Sequence, residues 1–286
     1  MYRHTSFMLL FAGLVGYALL IGSFSEYMQH RPVIVKLGYV PSIKLLKPLS
    51  ADQRELAGAS LVMKVMMYFG GVAERAASDT CINSPPDLQS MSRLLHGAVQ
   101  LDPYNMDAYY FAQSILVWDA RQFKVANELL DYGMKYRDWD WYLPFFAGFN
   151  SAYFMNDYVK AADYYKRAGE LSGQDLFKNL AGRYMQESGR TDLAILYLAA
   201  MERNERNEAV KKNFGTRLSA FKEVRRVEMA RDAYLASGGR LPVTIEKLTQ
   251  SGYLSGVPAD PYGGTFYLEP DGRVATTSKF VFGGKR

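Results

Sequence analysis

The sequence "FAGFNSAYFMNDYVKAADYYKRAGEL" (Phe146–Leu171) has the pattern of two short helices joined by a polar turn. In its first half, small residues stand beside large aromatic ones, and the dipeptide Asn156–Asp157 then forms the turn. The second half opens on alanine at Ala161. Two helices can pack closely only where small residues lie at their crossing point and large residues fill the adjacent spaces. This stretch therefore predicts a pair of packed helices.

Related stretches recur at a nearly constant interval in the middle of the chain. Their first residues are Met91, Ala126, Ala161 and Ala194, which gives spacings of 35, 35 and 33 residues. Two further positions are similar between the copies. The first is large and apolar or aromatic, and it is occupied by Leu95, Leu130, Tyr165 and Leu198. The second is mostly small, and it is occupied by Ala98, Gly133, Ala168 and Met201. A fixed period of this length predicts a repeat protein in which each unit packs on its neighbours.

The period and the placing of the small residues resemble the tetratricopeptide repeat (TPR) family, most clearly at Phe146–Leu171 and Leu180–Met201. The resemblance covers residues 51–206. It implies a mainly α fold, a TPR-like α-solenoid with a concave inner face. Proteins of this family are binding scaffolds in the great majority of cases, so the resemblance implies protein recognition and no enzymatic activity.

Aromatic residues are concentrated in the repeats, since Tyr104–Tyr165 contains 19 of the 40 in the chain. In the TPR family, the first helix of each repeat lines the concave face. We therefore expect the partner-binding residues to be the aromatic side chains of these helices, which are Tyr109, Tyr110, Trp118, Phe145, Phe149 and Tyr153. The alternative for each of them is a place in the core between stacked helices.

The segment "FMLLFAGLVGYALLIGSF" (Phe7–Phe24) contains no charged residue. As a helix it would extend about 27 Å, close to the hydrocarbon thickness of a bilayer. It predicts a transmembrane anchor in contact with the lipid bilayer, and a cleaved signal peptide is the alternative. Arg3 precedes the segment and Arg31, Lys36 and Lys44 follow it. These charges alone would place the main domain in the cytoplasm.

After the repeats, Asn207–Leu235 reads as one long amphipathic helix. Its apolar stripe consists of Val210, Phe214, Leu218, Phe221 and Val224. Most of its basic residues are expected off that stripe, on a solvated face or on a face that binds lipid or an acidic partner: Lys211, Lys212, Arg217, Lys222, Arg225 and Arg226. Strands at Thr265–Glu269 and Arg273–Ser278 around the turn Pro270–Gly272 predict a β-hairpin, which must pack on the preceding helix to be stable.

The turn residues of this last region are similar to those in the carboxyl-terminal half of the major pseudopilins of type II secretion systems. They include Gly239–Pro242, Gly252–Leu254, Asp260–Gly263 and Asp271–Gly272. In that family a long helix leads to a small β-sheet outside the cytoplasm, so the resemblance implies a periplasmic main domain. The prepilin leader is not matched, and the region that holds calcium in the family falls beyond Arg286. We expect Asp260 and Asp271 to form turns rather than bind metal.

No pattern in the sequence indicates a catalytic, cofactor or metal site. The three histidines, His4, His30 and His96, are too far apart to have metal-ligand spacing, and the single Cys81 cannot form an internal disulfide. The sequence also contains no Gly-rich phosphate loop. The net charge of +5 is not concentrated in a dense basic block, which argues against nucleic-acid binding.

The sequence thus predicts four segments: an anchor (1–30), a tether (31–50), the TPR-like domain (51–206), and a long helix with a pseudopilin-like hairpin module (207–286). We expect a single-pass protein of a bacterial inner membrane, with its main domain in the periplasm. It would hold a partner protein during assembly of an envelope, secretion or pilus machine. Three alternatives stay open: a cytoplasm-facing adaptor of the same fold, an envelope polysaccharide-binding factor, and a lipid-surface protein using the basic terminal helix.

Overall fold

The computed structural model describes residues 2–30, 37–38, 42–77, 86–238 and 240–280. Predictions for Cys81, Gly239 and most of residues 31–41 lie outside the described residues. Within them the protein is mainly helical and has one small two-stranded sheet. The chain divides into two compact units, Met1–Leu129 and Leu130–Arg286. The long helix and the hairpin therefore belong to the same unit as the last predicted repeats.

The first unit contains the amino-terminal helices. They are α1 (Tyr2–Gln29), α2 (Ile43–Leu49), α3 (Arg54–Ala77), α4 (Leu88–Leu101), α5 (Met106–Ser114) and a short π-helix (Ile115–Asp119); α6 (Phe123–Gly133) reaches the boundary with the second unit. Side chains cap two of these helices at their amino ends. The Asp87 carboxylate accepts a hydrogen bond from Ser90 N at 3.0 Å, and the Asn105 side chain accepts one from Ala108 N at 3.1 Å.

Two helices of the described chain are long and apolar enough to cross a membrane. One is Leu10–Gln29 within α1, of which no part is buried, and the other is Arg54–Glu74 within α3. The properties of α1 fit a membrane anchor or a signal sequence, the two alternatives that the sequence predicted. Helix α3 differs because one of its faces packs on α4 and contributes Val62, Val65 and Tyr68 to the core of the first unit.

The second unit contains α7 (Tyr142–Tyr153), α8 (Tyr158–Ser172), α9 (Asp175–Glu187), α10 (Thr191–Asn204), α11 (Glu208–Gly238), α12 (Ile245–Gln250), β1 (Phe266–Leu268) and β2 (Val274–Thr276). From α7 to α11, each helix packs against the next one in the chain. This order follows from the short turns between them, which bring successive helices side by side.

The periodic positions of the sequence are core positions in the structure. Leu95, Leu130 and Leu198 are fully buried, and Tyr165 is nearly so. Small residues lie where the helices cross. A Cβ atom on Gly148 would lie 3.2 Å from the ring of Tyr165, and one on Gly182 would lie 3.0 Å from Leu198 Cδ2. Glycines of α7 and α9 therefore lie at close range to the large residues of the period on the following helices.

Polar contacts also join segments about one period apart. The Tyr164 hydroxyl donates to the Asp131 carboxylate at 2.8 Å, and Arg167 donates to the Met134 carbonyl at 3.2 Å. A charge-assisted bond of the first kind contributes more than a neutral one. These contacts fix α8 against the end of α6.

The predicted packing of the hairpin on the long helix is confirmed. Strands β1 and β2 pair antiparallel, with Phe266 opposite Thr276. Phe266 and Val274 enter the same apolar cluster as Phe221 of α11. Arg231 of α11 donates to the Gly272 carbonyl at the hairpin turn, at 2.7 Å.

The predicted placement of Arg217 on a solvated face is wrong. Its side chain is 2% exposed and donates to the carbonyls of Asn179 at 3.1 Å and Phe280 at 2.9 Å. The reason is helical geometry: position 217 follows Phe214 by three residues and precedes Phe221 by four, so it lies on the buried stripe. Burial lowers the pKa of the Arg217 guanidinium.

Candidate functional site

Helix α7 carries a row of aromatic side chains along one side. They are Tyr142, Phe146, Phe149 and Tyr153, which we call the α7 aromatic stripe. Their spacings of four, three and four residues place them within an arc of about 60° on the helix. No residue between Tyr142 and Tyr153 is charged. The stripe is therefore a continuous aromatic surface.

The rings of the stripe contact one another in pairs. The Tyr142 and Phe146 rings lie 6.2 Å apart, and the Phe149 and Tyr153 rings stack at 5.5 Å with an interplanar angle of 8°. The tyrosines at the two ends are the most accessible, at 45% exposed for Tyr142 and 68% for Tyr153. The two phenylalanines between them are half-buried. The stripe thus presents ring surface to solvent, with a hydroxyl at each end.

The opposite side of α7 is buried and fixes the helix in the unit. Leu143, Ala147 and Ser151 on that side are covered. At the amino end, the Asp140 carboxylate accepts hydrogen bonds from Tyr142 N at 3.0 Å and from Arg137 at 2.7 Å. The first ring of the stripe is therefore held by a largely buried ion pair as well as by packing.

Neighbouring aromatic residues hold the two ends of the stripe. Trp141 stacks on Tyr142 at 4.0 Å and contacts Phe177 of α9 at 5.3 Å. Phe154 packs edge-on against Tyr153 at 4.9 Å. Such pairs restrict ring rotation, which lowers the entropy that the rings would lose on binding a partner.

The structure places the six predicted partner-binding residues in different environments. Phe149 and Tyr153 belong to the α7 aromatic stripe. Phe145 lies on the same helix but is half-buried and contacts Trp141 and Phe177, on the core side.

Tyr109 requires a correction, because its side chain is completely buried and cannot contact a partner at the surface. Its hydroxyl donates to the Pro103 carbonyl at 3.0 Å, which satisfies the polar atom inside the core. Tyr110 and Trp118 are both exposed, at 55% and 59%, and both belong to the first unit.

Sequence reasoning missed Tyr142 and Phe146. Both fit the helical spacing that Phe149 and Tyr153 define, so counting back along "YLPFFAGFNSAY" (Tyr142–Tyr153) would have found them. The structure begins the helix at Tyr142.

A concave region elsewhere in the same unit is strongly charged. It is a cleft of about 360 Å³ between α9, α11 and the hairpin. Its arginines are paired with acids: Arg225 contacts Asp192 at 2.7 Å, and Arg273 contacts Glu269 at 2.7 Å. Burial raises the pKa of the Glu228 carboxyl in this cleft. We interpret the region as an ion-pair network that joins the hairpin to the helices.

Within the described residues, no group of histidine, cysteine, aspartate or glutamate side chains is arranged to hold a metal ion. The Asp260 carboxylate accepts hydrogen bonds from Tyr262 N at 2.8 Å and Ser278 Oγ at 2.6 Å, and it also accepts one from Thr276 Oγ1. The Asp271 carboxylate accepts one from Arg273 N at 3.0 Å. Both aspartates form turns, as predicted.

No protein-family model matches this sequence, and a search of curated proteins gives no significant match. The TPR and pseudopilin resemblances accordingly rest on the residues quoted above.

Proposed function

We propose that the protein is a membrane-anchored scaffold with a TPR-like α-solenoid, which captures a segment of a partner protein on the α7 aromatic stripe. The proposed mechanism is non-covalent binding and involves no catalysis or cofactor. Helix α1 is the proposed anchor, and it would raise the local concentration of the scaffold at the bilayer.

Three properties of the repeats support the TPR-like arrangement. The predicted period coincides with the helices α4, α6, α8 and α10. The aligned large residues are buried, and the glycines at the crossings, Gly148 and Gly182, lie one period apart at close contacts. In the TPR family the first helix of each repeat lines the concave face, and α7 is such a first helix.

The single observation that carries the proposal is the exposed ring surface of the α7 aromatic stripe. Aromatic side chains dominate the energetics of protein interfaces because they bury large rigid areas. The absence of charge along Tyr142–Tyr153 favours a partner segment with apolar anchors over an acidic or basic peptide. A helical or extended segment laid along the stripe would satisfy this chemistry.

The proposed setting is the periplasmic side of a bacterial inner membrane, in assembly of an envelope, secretion or pilus machine. It rests on the resemblance of the hairpin region to pseudopilins, which is an argument by analogy. Digestion of the main domain by protease added to spheroplasts supports this side of the membrane. Protection until the cells are lysed would instead support the cytoplasm-facing adaptor.

Photo-crosslinking in native membranes tests the partner-binding site. The full-length protein would carry benzoylphenylalanine in place of Tyr153, with Tyr267 as a matched position, since it is a 42% exposed tyrosine of the same unit on the hairpin. We expect a protein adduct from position 153 and none from position 267. Equal adducts at both positions, or none at position 153, would contradict binding at the stripe.

Affinity capture with a truncated side chain provides the second readout. Tyr153→Ala is expected to lower recovery of the partner about thirtyfold, since loss of an aromatic hot spot costs about 2 kcal/mol. Tyr267→Ala is expected to leave recovery unchanged. If purified envelope glycan binds instead and Tyr153→Ala abolishes that binding, the polysaccharide-binding alternative replaces protein capture.

A further inference from the structure

Helix α3 has an uncovered apolar face. Leu56, Met63 and Met67 are 66%, 56% and 72% exposed, and they recur at spacings of seven and four residues on one side of the helix. Lys64 is the only charged residue from Leu56 to Ala73. At 1.5 Å per residue, this face extends about 21 Å from Leu56 to Gly70. A solvated helix face of that length normally carries several charges.

The opposite face of α3 is already occupied by the core of the first unit. Leu61, Val65 and Tyr68 are buried there, and Leu61 Cδ1 lies at the crossing with Gly97 of α4. The helix is therefore apolar on both sides, and only one side is covered within the described residues. A helix of this composition is usually buried on all sides or lies against a membrane.

Helix α2 extends the uncovered face. Its Ile43 and Leu46 are half-buried and line a cleft with Leu61, whereas Leu45 and Leu49 are 60% and 78% exposed. Leu49 also lines one cleft with Leu56 of α3. The exposed residues Leu49 of α2 and Leu56 of α3 are thus neighbours where the two helices meet. We call the surface formed by Leu45, Leu49, Leu56, Met63 and Met67 the α2–α3 outer face.

Charge and chain length indicate what covers this surface. Between Glu26 and Asp52 the sequence carries four basic residues and no acidic one, and two of the four, Lys44 and Lys47, are exposed on α2 itself. Residues 30–42 join the end of α1 to α2, and an extended residue spans at most about 3.5 Å, so α2 begins within about 45 Å of α1. A bilayer that holds α1 is therefore within reach of α2.

We propose that the α2–α3 outer face docks on the anionic surface of the bilayer that α1 enters. The leucines and methionines would lie at the level of the headgroups, and Lys44 and Lys47 would contact lipid phosphates at the edge of the surface. A second copy of the chain is the less favoured occupant, because a symmetric contact would bring the lysines of both copies together. The inference rests on the proposed anchoring by α1, and it holds for either leaflet.

Spin labels on the full-length protein in lipid nanodiscs test the proposal. The nanodiscs would contain phosphatidylcholine with or without phosphatidylglycerol, and Cys81→Ser would remove the native thiol. A label at Met63→Cys reports on the α2–α3 outer face, and a label at Leu14→Cys reports on the anchor. A label at Met229→Cys is the control, since Met229 is an exposed methionine of α11. The readout is the accessibility of each label to oxygen relative to a water-soluble nickel complex.

We expect the labels at positions 14 and 63 to be shielded from nickel in the anionic nanodiscs and the label at 229 to be accessible. If position 14 is shielded and position 63 is as accessible as 229, the anchor stands and the docking is refuted. If position 14 is also accessible, the anchor itself fails. Shielding of position 63 that requires two copies per nanodisc would identify a second copy as the occupant and overturn the proposal.

Neutralising the lysines separates the charge contribution from the apolar one. Lys44→Gln/Lys47→Gln is expected to lower the equilibrium between docked and undocked forms roughly thirtyfold in anionic nanodiscs, since each lysine near such a surface contributes about 1 kcal/mol. Lys212→Gln/Lys222→Gln on α11 removes the same charge and should leave the equilibrium unchanged. An equal effect of the two double variants would contradict a local role for α2.

Discussion

Replacing Phe221 by alanine tests whether the hairpin and the long helix form one core with the repeats. The Phe221 ring is completely buried on α11 and packs edge-on against Phe280 at 5.3 Å. Burying a phenylalanine removes about 150–200 Å² from water, which at about 25 cal/mol per Å² gives roughly 4–5 kcal/mol as an upper value. Phenylalanine-to-alanine changes in cores cost about 3–5 kcal/mol. We expect the second unit to lose about 4 kcal/mol of unfolding free energy.

The assay uses the distribution of tryptophan in the chain. Trp118 is in the first unit, and Trp139 and Trp141 are in the second. In a Trp118→Phe background, fluorescence therefore reports only on the second unit, where Trp141 contacts Phe177 at 5.3 Å. With a denaturant dependence of about 2 kcal/mol per molar urea, the expected loss lowers the unfolding midpoint by about 2 M.

Met229→Ala on the same helix is the matched control. Met229 is 59% exposed, so its truncation should shift the midpoint by less than about 0.3 M. If Phe221→Ala shifts the midpoint no more than Met229→Ala does, the long helix does not share a core with α7–α10. The account of the hairpin as an integral part of this unit would then be wrong.

Three further changes test separate contacts of the second unit. Burial raises the pKa of the Glu228 carboxyl above its value in the unfolded chain. At neutral pH the ionised carboxylate therefore lowers the stability of the folded state. Glu228→Gln should therefore raise the urea midpoint near pH 7.5. This gain should vanish below about pH 4, where the wild-type carboxyl is protonated in both the folded and the unfolded state. A gain that persists at low pH would point to another cause. Gly264→Ala would place a Cβ atom 2.6 Å from the Asp260 carboxylate. The clash should destabilise the hairpin by about 1–3 kcal/mol and accelerate hydrogen exchange of its amides by the corresponding factor. Unchanged exchange would refute the predicted clash. Tyr164→Phe removes the hydroxyl that donates to Asp131 at 2.8 Å, which should cost about 1.5 kcal/mol in the urea assay, whereas no loss would mean that water replaces the contact.

The sequence predicted the helices well because their signals are local. The stretches that recur at spacings of 35, 35 and 33 residues all lie on helices of the structure, namely α4, α6, α8 and α10. The predicted long helix, Asn207–Leu235, differs from the observed Glu208–Gly238 by three residues or fewer at each end. The turn Pro270–Gly272 likewise predicted the hairpin, because proline fixes its φ angle and glycine permits a positive φ, whatever surrounds them.

The sequence placed individual side chains less well. Tyr109 and Tyr110 are adjacent aromatic residues on one helix, yet the first is fully buried and the second is 55% exposed. Arg217 is a residue type usually found at the surface, but it lies in the core, where two backbone carbonyls accept hydrogen bonds from its guanidinium. Residue type gives only a tendency toward burial, and the neighbouring elements determine the outcome.

The sequence by itself determined the apolar amino-terminal segment, the helices of the periodic region, the long helix and the hairpin, because spacing and turn chemistry are properties of adjacent residues. Only the tertiary structure decided which face of each element is covered. Helical spacing shows that Leu56, Met63 and Met67 share one side of α3 and that Leu61, Val65 and Tyr68 share the other, and both sides are apolar. The packing of α4 on the second side left the first side exposed, since contacts between distant segments depend on how the whole unit folds and not on local spacing.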